Sequence, residues 1–149
     1  MTSAVAVLGS RYRGDDAVGP LVGDRLRERG VEVVDCGDEP TRLIDRLEGL
    51  DLVVVVDAVR SEAPPGTVHT VHAEPGAELP RDPGLASTHA LAVTDALALA
   101  AVLGRAPRRV VLVGVEGRAF GMGDALTPAV EAALDAAADT VLTTIEEQP

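Results

Sequence analysis

The sequence feature that most constrains the fold is the apolar run Leu-Val-Val-Val-Val at residues 52–56. Four consecutive β-branched residues favour an extended chain. Because the run does not alternate with polar residues, both of its faces must be covered, which is typical of a central strand in a mostly parallel sheet. Helices provide that cover, so the run predicts an α/β fold in which Asp57 comes directly after the carboxyl end of the strand.

The rest of the chain alternates strand-like and helix-like segments. Strands are predicted at 4–9, 31–36, 67–72 and 110–115, and helical segments at 16–29, 41–48, 88–103 and from Thr127-Pro128 onward. The connection before 67–72 is too short for a helical crossover, so this fourth strand is predicted to be antiparallel and at an edge. We therefore predict one domain over residues 1–149, a three-layer α/β fold with a mostly parallel five-stranded sheet between helices.

Composition excludes several classes of partner. The 13 basic residues, all arginine, face 24 acidic ones, and the net charge of -11 argues against nucleic acid and anionic membranes as partners. Cys36 is the only cysteine, which rules out an internal disulfide and fits a reducing cytosol. Neither a secretory leader pattern nor an apolar run of membrane-spanning length is present in the sequence, so we expect a cytoplasmic protein.

Four polar residues are predicted near the carboxyl edge of the sheet, where open α/β sheets bind ligands. Asp15 and Asp16 follow the first strand, Asp57 follows the third, and His89 opens the helix at 88–103. Two carboxylates and an imidazole that converge there would form a divalent-metal site with open coordination positions. The alternative interpretations are that Asp15 or Asp16 only caps the helix behind it, and that His89 is a surface residue.

Three other features are interpreted as structural. His69 and His72 are spaced as ligands on a helix would be, but in a strand this spacing points them to opposite faces. Cys36 follows a strand, yet no histidine is an obvious base for it, so a buried apolar role is favoured over a nucleophile. Residues 9–14 imitate half of a phosphate loop, but two aspartates follow instead of Lys and Ser or Thr.

Four short motifs in this order resemble those of the hydrogenase maturation endopeptidases over nearly the whole chain. The motifs are Leu8-Gly9-Ser10 with Arg13-Gly14-Asp15-Asp16-Ala17-Val18-Gly19, then Val55-Val56-Asp57-Ala58, then Ser87-Thr88-His89-Ala90-Leu91, and finally Leu112-Val113-Gly114-Val115 with Gly121, Leu126, Thr127 and Pro128. The chain departs from the family pattern in three places: Ser10 replaces Asn, Cys36-Gly37-Asp38 replaces a Gly-rich turn, and Glu116-Gly117 stands where Pro is common.

The resemblance implies that Asp16, Asp57 and His89 are both the catalytic and the metal-binding residues. It also implies a monomeric peptidase that removes the C-terminal extension of a nickel-iron hydrogenase large-subunit precursor. Nickel would then be presented by the substrate and not be a permanent cofactor. Asp16 is our choice for the base that activates water, although the sequence leaves the division of roles open.

Two other functions are considered. A receiver domain also has an early acidic pair and an Asp after its third strand, but it needs a Lys near the end of the fifth, and this chain contains no Lys. A nickel-binding maturation chaperone that cuts nothing would use the same three residues, and only a cleavage assay separates it from a peptidase.

Overall fold

The computed structural model describes residues 2–73, 86–87 and 90–147. Within these residues, six strands lie at β1 (Ser3–Leu8), β2 (Val33–Gly37), β3 (Leu52–Arg60), β4 (Val68–Ala73), β5 (Ala86–Ser87) and β6 (Arg109–Glu116). Three α-helices lie at α1 (Val18–Glu28), α2 (Ala90–Val102) and α3 (Pro128–Glu146), and two 3-10 helices at Gly14–Ala17 and Pro40–Arg46.

The sheet has the order β2-β1-β3-β6-β4, with β5 paired to β3 outside that path. Strands β1, β2, β3 and β6 are parallel to their neighbours, whereas β4 pairs antiparallel with β6 at the edge. The mostly parallel five-stranded sheet, the central third strand and the antiparallel fourth strand are therefore confirmed. The two-residue strand β5 was not predicted.

Two apolar cores lie on opposite faces of the sheet. Alternate residues of β3 supply both of them: Val54 and Val56 pack with α1 and α3, while Val53 and Val55 pack with α2 and the second 3-10 helix. Since successive strand residues point to opposite faces, Asp57 belongs to the face that α2 covers. Helices on both faces of one sheet give the three layers that the sequence predicts.

The structure corrects the end of the central strand. Asp57 was predicted to follow the strand, but β3 continues to Arg60. The reason is pairing: β6 pairs with β3 as far as Val59, and β5 pairs with Val59 and Arg60. On the other side, the pairing with β1 stops at Val56. Asp57 thus lies in the gap along β3 between the end of β1 and the start of β5.

Smaller boundaries also differ. The second strand begins at Val33 and not at residue 31, and the helical segment after it is a 3-10 helix. The predicted start of the third helical segment, at residue 88, cannot be compared, because Thr88 lies outside the described residues. In the part of the chain that the structure describes, none of the helices is both long enough and apolar enough to cross a bilayer.

Candidate active site

The carboxyl ends of β1 and β3 form the topological switch point of this sheet. From β1 the chain crosses to β2 on one side, and from β3 it continues toward β6 on the other. A crevice opens at such a point because the two connections leave in opposite directions. Asp16 follows β1 and Asp57 lies in β3, so the structure brings both to the place where the sequence predicted a site.

Asp57 is fully buried, and its Oδ1 accepts a hydrogen bond of 2.9 Å from the backbone N–H of Ala58. In the ladder it pairs with Gly114 of β6. Continuing the β1–β3 register by one residue places Asp57 beside Leu8. Asp57 therefore lies beside the end of β1, on the face of the sheet that α2 covers.

Asp16 lies in the first 3-10 helix and is 6% exposed. Its Oδ2 accepts a hydrogen bond of 2.9 Å from the backbone N–H of Ser10. Gly9 makes this close approach possible: its φ is +121°, and a Cβ there would lie 2.0 Å from the Asp16 carbonyl oxygen. Asp16 is therefore packed against the segment that follows β1, next to the gap along β3 in which Asp57 lies.

Gly19 completes the packing of this corner. A Cβ at Gly19 would lie 2.1 Å from the Leu8 carbonyl oxygen and 3.0 Å from that of Val56. The start of α1 thus rests directly on the ends of β1 and β3, where any larger residue would push it away. This contact fixes the 3-10 helix that carries Asp16 relative to the strand that carries Asp57.

The capping interpretation of the two aspartates is wrong. The residues at the N-cap positions of the 3-10 helix and of α1 are Arg13 and Ala17, and neither cap has a side-chain hydrogen bond. Asp16 bonds Ser10, and Asp15 bonds a segment more than a hundred residues further along the chain. The adjacent aspartates therefore have different tasks.

Asp15 is a buried anchor for the loop between β6 and α3. Its Oδ2 accepts hydrogen bonds from the N–H groups of Arg118 and Ala119, at 2.7 and 2.9 Å, and from the Thr127 hydroxyl at 2.6 Å, while Oδ1 accepts the Thr127 N–H at 2.7 Å. Burial raises the pKa of the Asp15 carboxyl, but the hydrogen bonds from Thr127, Ala119 and Arg118 outweigh it, so the pKa lies below its ordinary value.

His89 lies outside the described residues, so its predicted role stays a prediction. The described residues nearest to it in sequence are Ser87 and Ala90. Ser87 pairs with Val59, two residues beyond Asp57 on β3, and Ala90 is the first residue of α2.

Sequence reasoning missed a second buried polar cluster at the same sheet edge. Glu116, 2% exposed, accepts hydrogen bonds from the Ser61 N–H and hydroxyl at 2.7 and 2.6 Å, and lies 3.1 Å from His69 Nε2. The available signal was a carboxylate directly after an apolar run, the same signal that identified Asp57. Because the Ser61 hydroxyl bonds the carboxylate and not the imidazole, the cluster is not a Ser-His nucleophile pair. It holds β3 beyond Asp57 against β4 and β6.

The structural interpretations of His69 and His72 agree with the geometry. His69 bonds Glu116, while His72 lines a cavity of about 400 Å³ with Arg109 and Thr140 at the other end of the sheet edge. The two imidazoles therefore do not share a site. Across residues 2–73, 86–87 and 90–147, the structure contains no group of three His, Cys, Asp or Glu residues that could hold a metal ion.

Cys36 is 1% exposed at the end of β2, and burial, assisted by the charge of Asp35, raises the pKa of its thiol to about 11. A thiolate nucleophile is thus disfavoured at neutral pH. For the peptide cleavage that the family resemblance implies, we expect Cys36→Ser to keep kcat within about twofold of the wild-type value. The substitution should lower the free energy of unfolding by about 1–2 kcal/mol, because a hydroxyl enters an apolar core. Steady-state kinetics and urea unfolding measure the two effects. A large fall in kcat in a variant that still folds would instead indicate that Cys36 is a nucleophile.

Comparison with known proteins gives consistent matches. A family model described as hydrogenase maturation protease matches residues 19–144. The hydrogenase expression/formation protein HupD of Thiocapsa roseopersicina is 35% identical over 133 residues, which cover 82% of this chain and 59% of HupD. The hydrogenase 2 maturation protease of Escherichia coli K12 is 29% identical over 99% of this chain and 92% of its own length.

Solved structures show the same architecture. The hydrogenase-maturating endopeptidase HybD from E. coli superimposes with a TM-score of 0.83 at 27% identity, covering 99% of this chain and 93% of HybD. A NiFe hydrogenase maturation protease HybD from Thermococcus kodakarensis gives a TM-score of 0.85 at 25% identity, covering 97% and 99%. The α/β fold with one antiparallel strand is therefore shared with these proteins.

Proposed function

Because the chain belongs to the hydrogenase maturation protease family, we propose that it is an endopeptidase that removes the C-terminal extension of a nickel-loaded nickel-iron hydrogenase large-subunit precursor. The observation that carries this proposal is the placement of Asp16 and Asp57 together at the switch point of the sheet. Two carboxylates with restricted access to water, at the edge where such folds bind ligands, are suited to a metal-assisted hydrolysis.

His89 is proposed as the third residue of this site. Three described features support it: Asp57 belongs to the sheet face that α2 covers, α2 begins at Ala90, and Ser87 pairs with β3 just beyond Asp57. A neutral imidazole near the start of a helix suits metal ligation, since the positive end of the helix disfavours the imidazolium.

Nickel is proposed to arrive with the substrate. Two carboxylates and one imidazole supply at most three protein ligands and form an oxygen-rich set, which holds a borderline transition metal less firmly than thiolates do. The open coordination positions would be filled by ligands that the precursor provides. The metal then acts as a recognition element, because the site binds fully only when the nickel is already seated in the precursor.

Asp16 is proposed as the base. Asp16 retains 6% exposure, whereas Asp57 is fully buried, which supports Asp16 as the carboxylate nearer to water. In this step water loses a proton to Asp16 while its oxygen bonds to the scissile carbonyl carbon, and the same proton then goes to the leaving nitrogen as the carbon–nitrogen bond breaks. Asp57 would hold the substrate's nickel.

The cell compartment is inferred from the cysteine content. The single Cys36 is unpaired and buried, which fits a cytoplasmic enzyme acting on a precursor in a reducing environment.

The test is an incubation of the purified chain with a nickel-loaded large-subunit precursor, followed by intact-mass measurement of the precursor. The proposal expects a loss of mass at the C-terminus and release of one peptide. A precursor that forms a complex with the chain but keeps its mass would instead identify a nickel-binding chaperone. A precursor that neither binds nor changes mass would exclude both functions.

A further inference from the structure

The loops around Asp16 carry exposed side chains that the proposed chemistry does not use. Residues 11–14 and 117–124 contact each other repeatedly: the Gly123 N–H donates to the Tyr12 carbonyl at 2.8 Å, and the Asp15 N–H donates to the Ala119 carbonyl at 2.7 Å. Gly14, at φ +56°, has no room for a Cβ, which would lie 2.3 Å from the Ala119 carbonyl oxygen. We call residues 11–14, 117–124 and Arg60 the loop platform.

Four arginines lie on this platform, and one of them, Arg11, pairs with Asp24. Of the other three, Arg13 precedes Gly14, the Arg118 N–H bonds the buried Asp15 carboxylate, and the Arg60 guanidinium stacks 4.3 Å from the centre of the Phe120 ring. All three side chains are exposed. None of them forms an ion pair with an acidic residue in the described ranges.

Within the described ranges, three of the five arginines that form no ion pair with a carboxylate lie on this platform. On other surfaces, arginines pair with nearby carboxylates, as in Arg25 with Asp135, Arg29 with Asp139, and Arg105 with Asp45. Arg46 and Arg109 are the other described arginines without such a pair, and they lie away from the platform at other ends of the sheet. The platform also contains one exposed carboxylate, Asp124, but its four arginines outnumber it, so the platform is a positively charged region in an otherwise acidic protein.

The platform also exposes apolar area. Tyr12 is 74% and Met122 is 68% exposed, and their segments are joined by the Gly123–Tyr12 hydrogen bond. Tyrosine, methionine and arginine are the residue types enriched at protein interfaces, and tyrosine and arginine at the positions that carry most of the binding energy. Isolated exposed apolar residues need no explanation. Here, however, two of them lie beside three arginines without acidic partners and next to the proposed site, which is the composition of a binding surface.

We propose that the loop platform docks an acidic segment of the substrate protein immediately beside the bond that is cut. Charge complementarity selects this occupant. The arginines attract carboxylates of the substrate segment, and Tyr12 and Met122 pack against apolar side chains that lie between those carboxylates. The net charge of -11 repels an acidic partner elsewhere on the surface, so the platform also orients the approach. This inference rests on the proposed function, because it identifies the substrate contact of the same site.

The test compares two double charge reversals. Arg13→Glu/Arg118→Glu changes only side chains, while the backbone bonds of these residues remain; Arg105→Glu/Arg108→Glu is the matched control at the amino edge of the sheet. With nickel-loaded precursor, we expect the platform variant to raise KM and the dissociation constant about tenfold while kcat changes less than twofold. The control should change neither KM nor the dissociation constant. The platform variant should unfold at the wild-type temperature, whereas the control loses two exposed ion pairs, with Asp45 and Asp51, and should be only slightly less stable.

Salt gives a second readout. Between about 50 and 300 mM NaCl the wild-type dissociation constant for the precursor should rise, and the platform variant should lose most of that dependence. Tyr12→Ala and Met122→Ala should each weaken binding without changing the salt dependence.

Binding is measured by fluorescence anisotropy of labelled precursor, independently of cleavage. If the wild type cleaves the precursor and the platform variant shows the same KM and the same salt dependence, the docking surface is wrong and the peptidase function stands. If the wild type binds the precursor in a salt-dependent way but does not cleave it, and the platform variant loses that binding, the docking surface stands and the peptidase function is wrong. No binding at all overturns both.

Discussion

Asp57→Asn is expected to lower kcat/KM for the nickel-loaded precursor by about a thousandfold while leaving the fold cooperative. Asparagine keeps the shape of the side chain and can still accept the 2.9 Å bond from the Ala58 N–H, so the packing of β3 survives. It loses the negative charge that the proposed site needs for the metal carried by the substrate. Single-turnover cleavage followed by mass spectrometry measures the effect, and thermal unfolding reports the fold.

Asp51→Asn is the matched control. Asp51 precedes β3 at the opposite end, where it accepts a bond from the Thr2 N–H and faces Arg108. Its replacement should leave kcat/KM within about twofold, since surface ion pairs contribute little. If Asp57→Asn folds and cleaves within about tenfold of the wild-type rate, Asp57 does not bind the reacting metal and the site assignment is wrong.

Asp15→Asn is expected to have the largest effect on stability. Four donors converge on the two Asp15 oxygens, and an asparagine must direct its own NH₂ group at some of them. Leaving buried donors unsatisfied should cost about 3 kcal/mol, or roughly 10 °C in melting temperature for a chain of this size. Asp124→Asn, on an exposed carboxylate that accepts the Gly121 N–H, is the control and should cost less than about 1 kcal/mol.

The same carboxylate predicts a pH dependence. Because the folded-state pKa of Asp15 lies below its ordinary value of 3.8, the unfolded chain binds its proton first as the pH falls. The stabilisation is therefore fully present above about pH 5 and is lost as the pH falls below 4 through the folded-state pKa. Urea unfolding between pH 7 and 3 should show the stability difference between wild type and Asp15→Asn shrinking in that window. A constant difference would contradict a charged Asp15 in the folded protein.

The long apolar strands made the architecture predictable, because their pattern is local. Strand β5 was not, since two residues carry no periodic signal. The extension of β3 past Asp57 also comes from long-range pairing, with β6 as far as Val59 and with β5 at Val59 and Arg60. Tertiary pairing, and not intrinsic strand propensity, therefore decides both the presence of β5 and the length of β3.

The convergence of Asp16 and Asp57 at the carboxyl edge of the sheet was predictable, but the different contacts of the two neighbouring aspartates were not. Asp15 and Asp16 look alike in sequence, and only contacts with Arg118, Ala119 and Thr127 on one side and with Ser10 on the other distinguish an anchor from a site residue. Glu116 was noticed only as a departure from a family pattern, because its partners Ser61 and His69 lie about fifty residues away in the chain. Such long-range hydrogen bonds leave no local signature.

The central claim is that this chain recognises nickel carried by its substrate and then cuts that substrate. The most direct measurement uses chelator-treated enzyme and two matched samples of one large-subunit precursor, with and without nickel, analysed by intact mass. The account predicts that metal-stripped enzyme shortens the nickel-loaded precursor at close to the untreated rate, because the protein's own ligands leave coordination positions for the substrate. It also predicts that the nickel-free precursor keeps its full mass, and efficient cleavage of that precursor would contradict the account.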